Sequence, residues 1–322
     1  MEMEWWTLVP KIELHAHLNG SIRDSTLLEL ARNLGDKGIV IEDFAAENVV
    51  YLELRTTPKR NDSIGMTKRG YMEAVLEGLK AVTAVDVHFV SSGFGTENSI
   101  INPDIHNTCG GIIRKKIYVG LLLSVHRRDT TATAMDTVQL ALEMRNLGVV
   151  GIDLSGNPVV GEWATFLPAL KYAREHGLRL TLHCGEVPNH EEVQAMLDFC
   201  PERIGHACCF EEDSWRKLKS SRIPVEICLT SNIVTETIPN IDKHHFADLY
   251  KHKHPMVLCT DDKGVFSTSL TREYTLAASS FGLGEKEIFE LARDAIEFIF
   301  ADDGVKSQLR MIFDSAAKKL EL

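Results

Sequence analysis

The chain is short of basic residues: 35 Lys and Arg stand against 46 Asp and Glu, a formal net charge of −11. An acidic body repels polyanions, which excludes a nucleic-acid groove or an anionic membrane surface as partner. Cys-x-x-Cys pairs are missing among the 7 cysteines, so neither a zinc ribbon nor a dithiol redox centre is encoded. Cys184, Cys208, Cys209, Cys228 and Cys259 lie in apolar, strand-like runs, where a free thiol behaves as a small hydrophobe. The expectation is reduced cysteines in a cytoplasmic enzyme. Long apolar runs are missing too. Ile117–Val125 is far too short to cross a bilayer, and Met1-Glu2-Met3-Glu4-Trp5-Trp6 lacks the apolar core of a signal peptide. No Walker-type loop occurs, which argues against nucleoside triphosphate hydrolysis. There is no low-complexity tract, charge run or linker, and 44% hydrophobic with 25% charged residues is an ordinary globular balance. A single domain over residues 1–322 is expected.

What the chain does contain is alternation. Short apolar runs, Lys11–His17, Val49–Thr56, Ile117–Val125, Val149–Leu154, Leu178–His183, Arg203–His206, Val225–Leu229 and Met256–Thr260, read as strands. Segments of helical period separate them: Ser25–Leu34, Lys68–Ala84, Thr133–Leu147, Phe166–His176 and Glu191–Phe199. Thr268–Phe281, Glu285–Phe300 and Val305–Lys319 read as closing helices. Eight βα units predict an α/β fold, a (β/α)8 TIM barrel. The alternative, a doubly wound sheet, would carry a Gly-rich turn after its first strand, and His17-Leu18-Asn19-Gly20-Ser21 is not one. Residues 91–116 lack periodicity and read as a surface-loop insertion without chemistry.

The polar residues collect at one end of these strands. The runs close on His15-Ala16-His17, Thr56-Thr57-Pro58-Lys59, Ser155-Gly156, His183-Cys184-Gly185-Glu186, Gly205-His206 and Thr260-Asp261-Asp262. In such a barrel the C-terminal strand ends build the active site. Strand period puts His15 and His17 on one face, with Ile12, Leu14 and Ala16 on the other. With His183 and Asp261 they make a His₃Asp set suited to one Zn²⁺. Glu186 reads either as a helix N-terminal acid or as a general acid beside the metal. His206 alone would pass for a satisfied core histidine. Of the rest, His252-Lys253-His254 reads as a solvated helix end, and His190-Glu191-Glu192-Val193-Gln194 lacks the second histidine of a zincin.

Pro10-Lys11-Ile12-Glu13-Leu14-His15-Ala16-His17-Leu18, His183-Cys184-Gly185-Glu186, Gly205-His206-Ala207, Thr230-Ser231-Asn232 and Cys259-Thr260-Asp261-Asp262 resemble the adenosine and AMP deaminase family, in order along almost the whole chain. His17-Leu18-Asn19-Gly20, Leu54-Arg55-Thr56-Thr57-Pro58-Lys59 and Asp153-Leu154-Ser155-Gly156 resemble its branch that handles N6-methyl-AMP. The resemblance implies a zinc barrel that hydrolyses an amino group from C6 of a purine nucleotide. It implies His15, His17, His183 and Asp261 as zinc ligands, Glu186 as proton donor to ring N1, and His206 as the group orienting the attacking hydroxide. It implies Asp262 at N7 and the Gly156 N–H at N3. His17, Asn19, Thr56, Thr57, Pro58, Lys59 and His126 complete the expected substrate contacts.

Two departures accompany the resemblance. Family members carry several tens of extra residues before the second strand, where this chain has only Gly35–Asn48, a shortened lid. The third barrel strand ends in His126-Arg127-Arg128, where the nucleotide-handling branch has Asp before two arginines. Asn19 stands where nucleoside deaminases place Asp. A carboxylate there would cost a 5′-phosphate roughly 4 kcal/mol at about 4 Å and an effective dielectric of 20. The expected substrate is therefore the monophosphate, handled by a monomer. The rival readings are a nucleoside deaminase and a catalytically weak purine-binding protein.

Overall fold

The computed structural model describes residues 3–21, 39–90 and 115–322. The expected helix Ser25–Leu34 and all of the expected loop but Lys115 and Lys116 lie outside the described residues. Strands β1 (Lys11–His17), β2 (Val49–Thr56), β4 (Lys116–His126), β5 (Val149–Ser155), β6 (Arg179–Cys184), β7 (Arg203–His206), β8 (Val225–Ile227) and β9 (Met256–Leu258) neighbour one another in that order. Each pair is parallel. A bridge between Ala16 and Asp261 brings the chain after β9 back against β1, so the sheet curls into the expected (β/α)8 barrel.

The strands match their sequence expectations with two differences. β3 (Asp86–Phe89) was not expected; it pairs only with the start of β4, below the point where β5 takes over that edge. Its four residues alternate Asp86 and His88 with Val87 and Phe89, the apolar pair packing on the core, and all are half-buried. The seventh and eighth expected strands stop early, because Leu229 already begins the short helix Leu229–Val234 and the chain turns at Asp261.

Local chemistry explains the connecting helices. Thr67, Thr130, Asn189, Ser269 and Asp302 each cap a helix by accepting a backbone N–H in its first turn. Helices Lys68–Lys80, Thr131–Glu143, Trp163–Glu175 and Leu270–Phe281 each bury one apolar stripe, represented by Val75, Val138, Leu170 and Tyr274. The helix Ile39–Ala46 leads within two residues into β2 and buries Val40, Ile41, Phe44 and Ala45. Among the described residues, no helix is long and apolar enough to cross a membrane.

The barrel interior is ionic. Glu53, Arg55, Asp153, Arg203 and Glu226 have no exposed surface at all. Arg203 opens β7 while His206 closes it, so the layers run from a charged floor to a histidine-rich mouth. On the floor, Arg203 pairs with Glu53, donates from Nε to Glu226 at 2.6 Å, and lies 3.6 Å from the centroid of the Phe300 ring. Where the barrel wall is tight it tolerates no side chain. A Cβ on Gly151 would lie 2.5 Å from the Arg179 carbonyl oxygen, which belongs to the neighbouring strand and cannot rotate away. Gly151→Ala should therefore destabilise the protein by about 1–3 kcal/mol through overpacking. A chemical-denaturation midpoint equal to wild type would show that the strands can separate without strain.

Candidate metal centre and active site

Three imidazoles and a carboxylate meet above the ionic floor. His183 Nε2 lies 3.1 Å from Nε2 of both His15 and His17. Asp261 Oδ1 lies 3.3 Å from His17 Nε2 and 3.7 Å from His15 Nε2. His206 belongs to the same cluster, its ligand atom within 4.8 Å of those of His15, His183 and Asp261. The two β1 histidines reach this point because period two turns both to the barrel interior, as the sequence predicts. Gly205 makes room for them: a Cβ there would meet His15 Cε1 at 2.7 Å.

Carboxylates below the cluster aim its donors. Glu226 Oε2 accepts His15 Nδ1–H at 2.6 Å, and Asp153 Oδ1 accepts His183 Nδ1–H at 3.0 Å. Each bond puts the ring proton on Nδ1 and leaves an Nε2 lone pair facing the cluster, the arrangement metal-binding histidines require. Arg55 spans both carboxylates, at 3.0 Å from Asp153 and 2.9 Å from Glu226. Ser124 and Thr181 donate their hydroxyls to Asp153 and Glu226. Sequence reasoning assigned none of these residues a role. The available signal was an ionisable residue in the middle of an otherwise apolar strand.

Electrostatics prepares the same set. Burial and the nearby Arg55 charge hold His15 well below its ordinary value, and burial takes His17 down to about 4. Burial would lower His183 as well, but the Asp153 charge and hydrogen bond outweigh it and raise the ring to about 9. Burial works against Asp261 too, yet the facing imidazoles keep it ionised. Once the His183 proton is displaced, three lone-pair nitrogens and an anionic oxygen fit a divalent zinc ion. The buried His206 Nε2, which has no hydrogen-bond partner, faces the same space.

Strained backbone delivers two of the polar groups. His206, Ala207 and Asp261 hold φ of 66°, 55° and 62°, a region costly for residues with a Cβ and common at functional sites. Glu186 follows a left-handed Gly185 and places Oε1 3.7 Å from His206 Nε2. A Cβ on Gly185 would strike the Phe210 ring at 2.5 Å. Beside Glu186 opens a cleft bordered by Arg127, Pro158, His183 and Glu192. Asp262 is half-buried against Gly20, where a Cβ would clash with its carboxylate.

The remaining expected contacts are placed unevenly. Asn19 is exposed at the mouth, Thr57 is half-buried and Lys59 exposed. Thr56 is buried with its hydroxyl 2.9 Å from that of Tyr71, and Pro58 is buried. His126 accepts the Arg128 N–H on Nδ1 and sets its Nε2 edge 2.9 Å from where a Gly156 Cβ would stand. Arg127 is taken up by Glu192 and the Val160 carbonyl. One expectation is corrected. His254 is not part of a solvated helix end; it is buried, with Nε2 bonded to the Ile223 carbonyl at 2.8 Å, because β9 begins two residues later and draws it inward.

A parallel (β/α)8 barrel with this donor set at its strand ends defines a metal-dependent hydrolase. Comparison fixes the family. The adenosine deaminase family model matches residues 39–316, and the chain belongs to that family. It is 60% identical over 358 residues to an N6-mAMP deaminase of Arabidopsis thaliana, covering 98% of this chain and 99% of that protein. It is 36% identical over 358 residues to an N6-methyl-AMP deaminase of Homo sapiens, covering 95% and 93%. The crystal structure of Arabidopsis ADAL complexed with IMP matches with TM-score 0.88 at 58% identity, covering 98% of this chain and 99% of that one. The alignments run 358 positions against the 322 residues here, so gaps opposite tens of relatives' residues are part of the match.

Because Asp153 fixes the orientation of the His183 ring through Nδ1, Asp153→Asn should weaken zinc retention by about 10–100-fold. Competition with a chromophoric chelator measures it, with circular dichroism confirming the fold. Unchanged affinity would mean the carboxylate does not tune the ligand.

Proposed function

We propose that this chain is a zinc-dependent deaminase that converts N6-methyl-AMP and water to IMP and methylamine. The observation that carries the reading is the pairing of Glu186 with His206 across the space above the His₃Asp set. Purine binding alone needs no proton donor there. His15, His17, His183 and Asp261 would hold the zinc, with His206 left to the substrate side, because its Nδ1 bonds an amide rather than a carboxylate. Zinc held there lowers the pKa of a water toward neutrality.

The chain's own residues do the rest. His206 orients the attacking water. Glu186 gives a proton to ring N1, so that C6 can accept oxygen without a full negative charge building on the ring. The C6–O bond forms, the C6–N6 bond breaks, and the two protons of the water end, net, on N1 by way of Glu186 and on the leaving amine. Asp262 is raised to about 6 by burial and the adjacent Asp261 charge. In its protonated form, which that shift favours, the carboxyl can donate to N7, which has only a lone pair to offer. The Gly156 N–H supports N3. Asn19, Thr57 and Lys59 present two neutral polar groups and a cation at the mouth, suited to a 5′-phosphate, with Thr56, Pro58, His17 and His126 shaping the contact. Three fully buried free thiols, Cys184, Cys228 and Cys259, suit a reducing compartment, which favours the cytosol.

Turnover on N6-methyl-AMP, AMP and N6-methyladenosine, with the released amine identified, tests the reading. IMP and methylamine from the first substrate are expected, and a preference for the nucleoside would overturn the phosphate assignment. Glu186→Gln should lower kcat by about 10²–10⁴-fold with zinc content unchanged. Near-normal turnover would remove Glu186 from the chemistry. Asn19→Asp sets a charge against the phosphate. Asn19 is exposed, so the penalty falls between about 1 kcal/mol in water and about 4 kcal/mol in a partly desolvated site. N6-methyl-AMP turnover should fall at least several-fold more than that of N6-methyladenosine. An equal fall in both would place Asn19 away from the phosphate.

A further inference from the structure

One hydrogen-bond chain in the barrel has a direction that cannot be reversed. It begins at a backbone donor, the Phe246 N–H, which bonds His244 Nδ1 at 3.0 Å. A backbone N–H can only donate, so His244 Nδ1 must keep its lone pair. The ring is neutral, since burial and the neighbouring imidazoles drive its pKa down to about 2. Its one proton therefore sits on Nε2 and is donated to Asn232 Oδ1 at 3.2 Å. That bond fixes which way the Asn232 amide faces, because the flipped amide would oppose two donors. Asn232 Nδ2 then faces His206 Nδ1 at 3.0 Å and donates to it. All three side chains are buried, at 2% exposure each, so no solvent competes for these bonds. Two further bonds hold the Asn232 backbone, from the Ile238 N–H and the Thr237 hydroxyl to its carbonyl.

We infer that Asn232 and His244 are positioning residues that lock His206 as the tautomer protonated on Nε2. His206 then meets the attacking water as a hydrogen-bond donor, and its Nε2 has no lone pair with which to take the water's proton. This contrasts with His15 and His183, whose carboxylate partners place the proton on Nδ1 and free Nε2. The partner of Nδ1, an amide or a carboxylate, thus sets His206 apart from His15 and His183. The inference rests on the proposed deaminase reading for the role of His206, while the tautomer itself does not.

The test uses the full chain, zinc-loaded and labelled with ¹⁵N-histidine. Long-range proton–nitrogen correlation should show His206 with a bare Nδ1 and a protonated Nε2. Asn232→Asp replaces the donor by an acceptor of the same shape and should reverse the two signals. In that variant kcat for N6-methyl-AMP should fall by about 10²–10⁴-fold, the scale on which a wrong tautomer disables a catalytic imidazole. KM and zinc content should stay within about threefold of wild type on the same reasoning that only His206 has changed. His244→Phe keeps the stacking on His245 but removes the anchor, and should yield a mixture of His206 tautomers. A protonated Nδ1 in the wild type overturns the inference, as does Asn232→Asp with reversed signals and undiminished kcat. A single unchanged tautomer in His244→Phe removes His244 from the chain. The wild-type spectrum decides the tautomer even if a variant does not fold. A chain silent on N6-methyl-AMP would sink the deaminase reading and leave the tautomer to its own signal.

Discussion

Glu226 is the residue on which the interior turns. It sits in the three-residue strand Val225–Ile227, and its two oxygens accept from His15, Thr181, Arg55 and Arg203. Those partners come from β1, β6, β2 and β7, so one carboxylate ties four other strands of the barrel to β8. A buried carboxylate of this kind is tolerable only when every lone pair is taken, and removing one partner of such a pair typically costs about 3–5 kcal/mol. Burial opposes its charge, but the two guanidiniums hold Glu226 well below the ordinary carboxylate range. A group so firmly anionic is a fixed acceptor. That fixity passes through His15 Nδ1 to the lone pair at the mouth, so the stability of the floor and the orientation of a ligand are one interaction.

The mouth is built on strain that the floor makes affordable. His206, Ala207 and Asp261 leave their strands in left-handed backbone, each at a cost of about 1–3 kcal/mol. Specific bonds hold those turns: Ala207 N–H to the Cys184 carbonyl at 2.9 Å, and the Ser231 hydroxyl to Asp261 Oδ2 at 2.6 Å. The strain re-aims side chains at strand ends toward the axis, where ordinary extended backbone would carry them along the strand.

The barrel was legible because a parallel sheet buried on both faces leaves continuous apolar runs, and β1, β2 and β7 can be read to the residue from theirs. The donor set was legible for a different reason: His15 and His17 are separated by the strand period, and His183 and Asp261 end their runs. β3 was illegible because its alternation, Asp86 and His88 against Val87 and Phe89, lasts only four residues. The supporting residues were hidden by the same habit of reading that found the barrel. Glu53, Arg55, Asp153 and Glu226 each interrupt an apolar strand, and an isolated charge in such a run looks like noise until its partners from other strands are in place. Asn232 and His244 were harder still, since their role lies in the direction of a hydrogen-bond chain that only three-dimensional contacts reveal.

The charges of the interior account for both the ion it suits and the proton it holds. Glu53, Asp153, Glu226 and Asp261 are fully buried or nearly so, and against them stand Arg55 and Arg203, with Lys11 at the start of β1. Burial shifts both Lys11 and Glu13 on that strand to about 7. The carboxylates outnumber the buried cations in a region from which water is excluded, where such an imbalance is expensive. A divalent cation at the mouth offsets that surplus. Short of that cation, the nearest basic site that can take up positive charge is His183, between Asp153 and the other imidazoles, whose pKa is raised where those of His15 and His17 are lowered. The lifted His183 and the divalent preference are thus two responses to one surplus of buried negative charge, and entry of the ion must expel that proton.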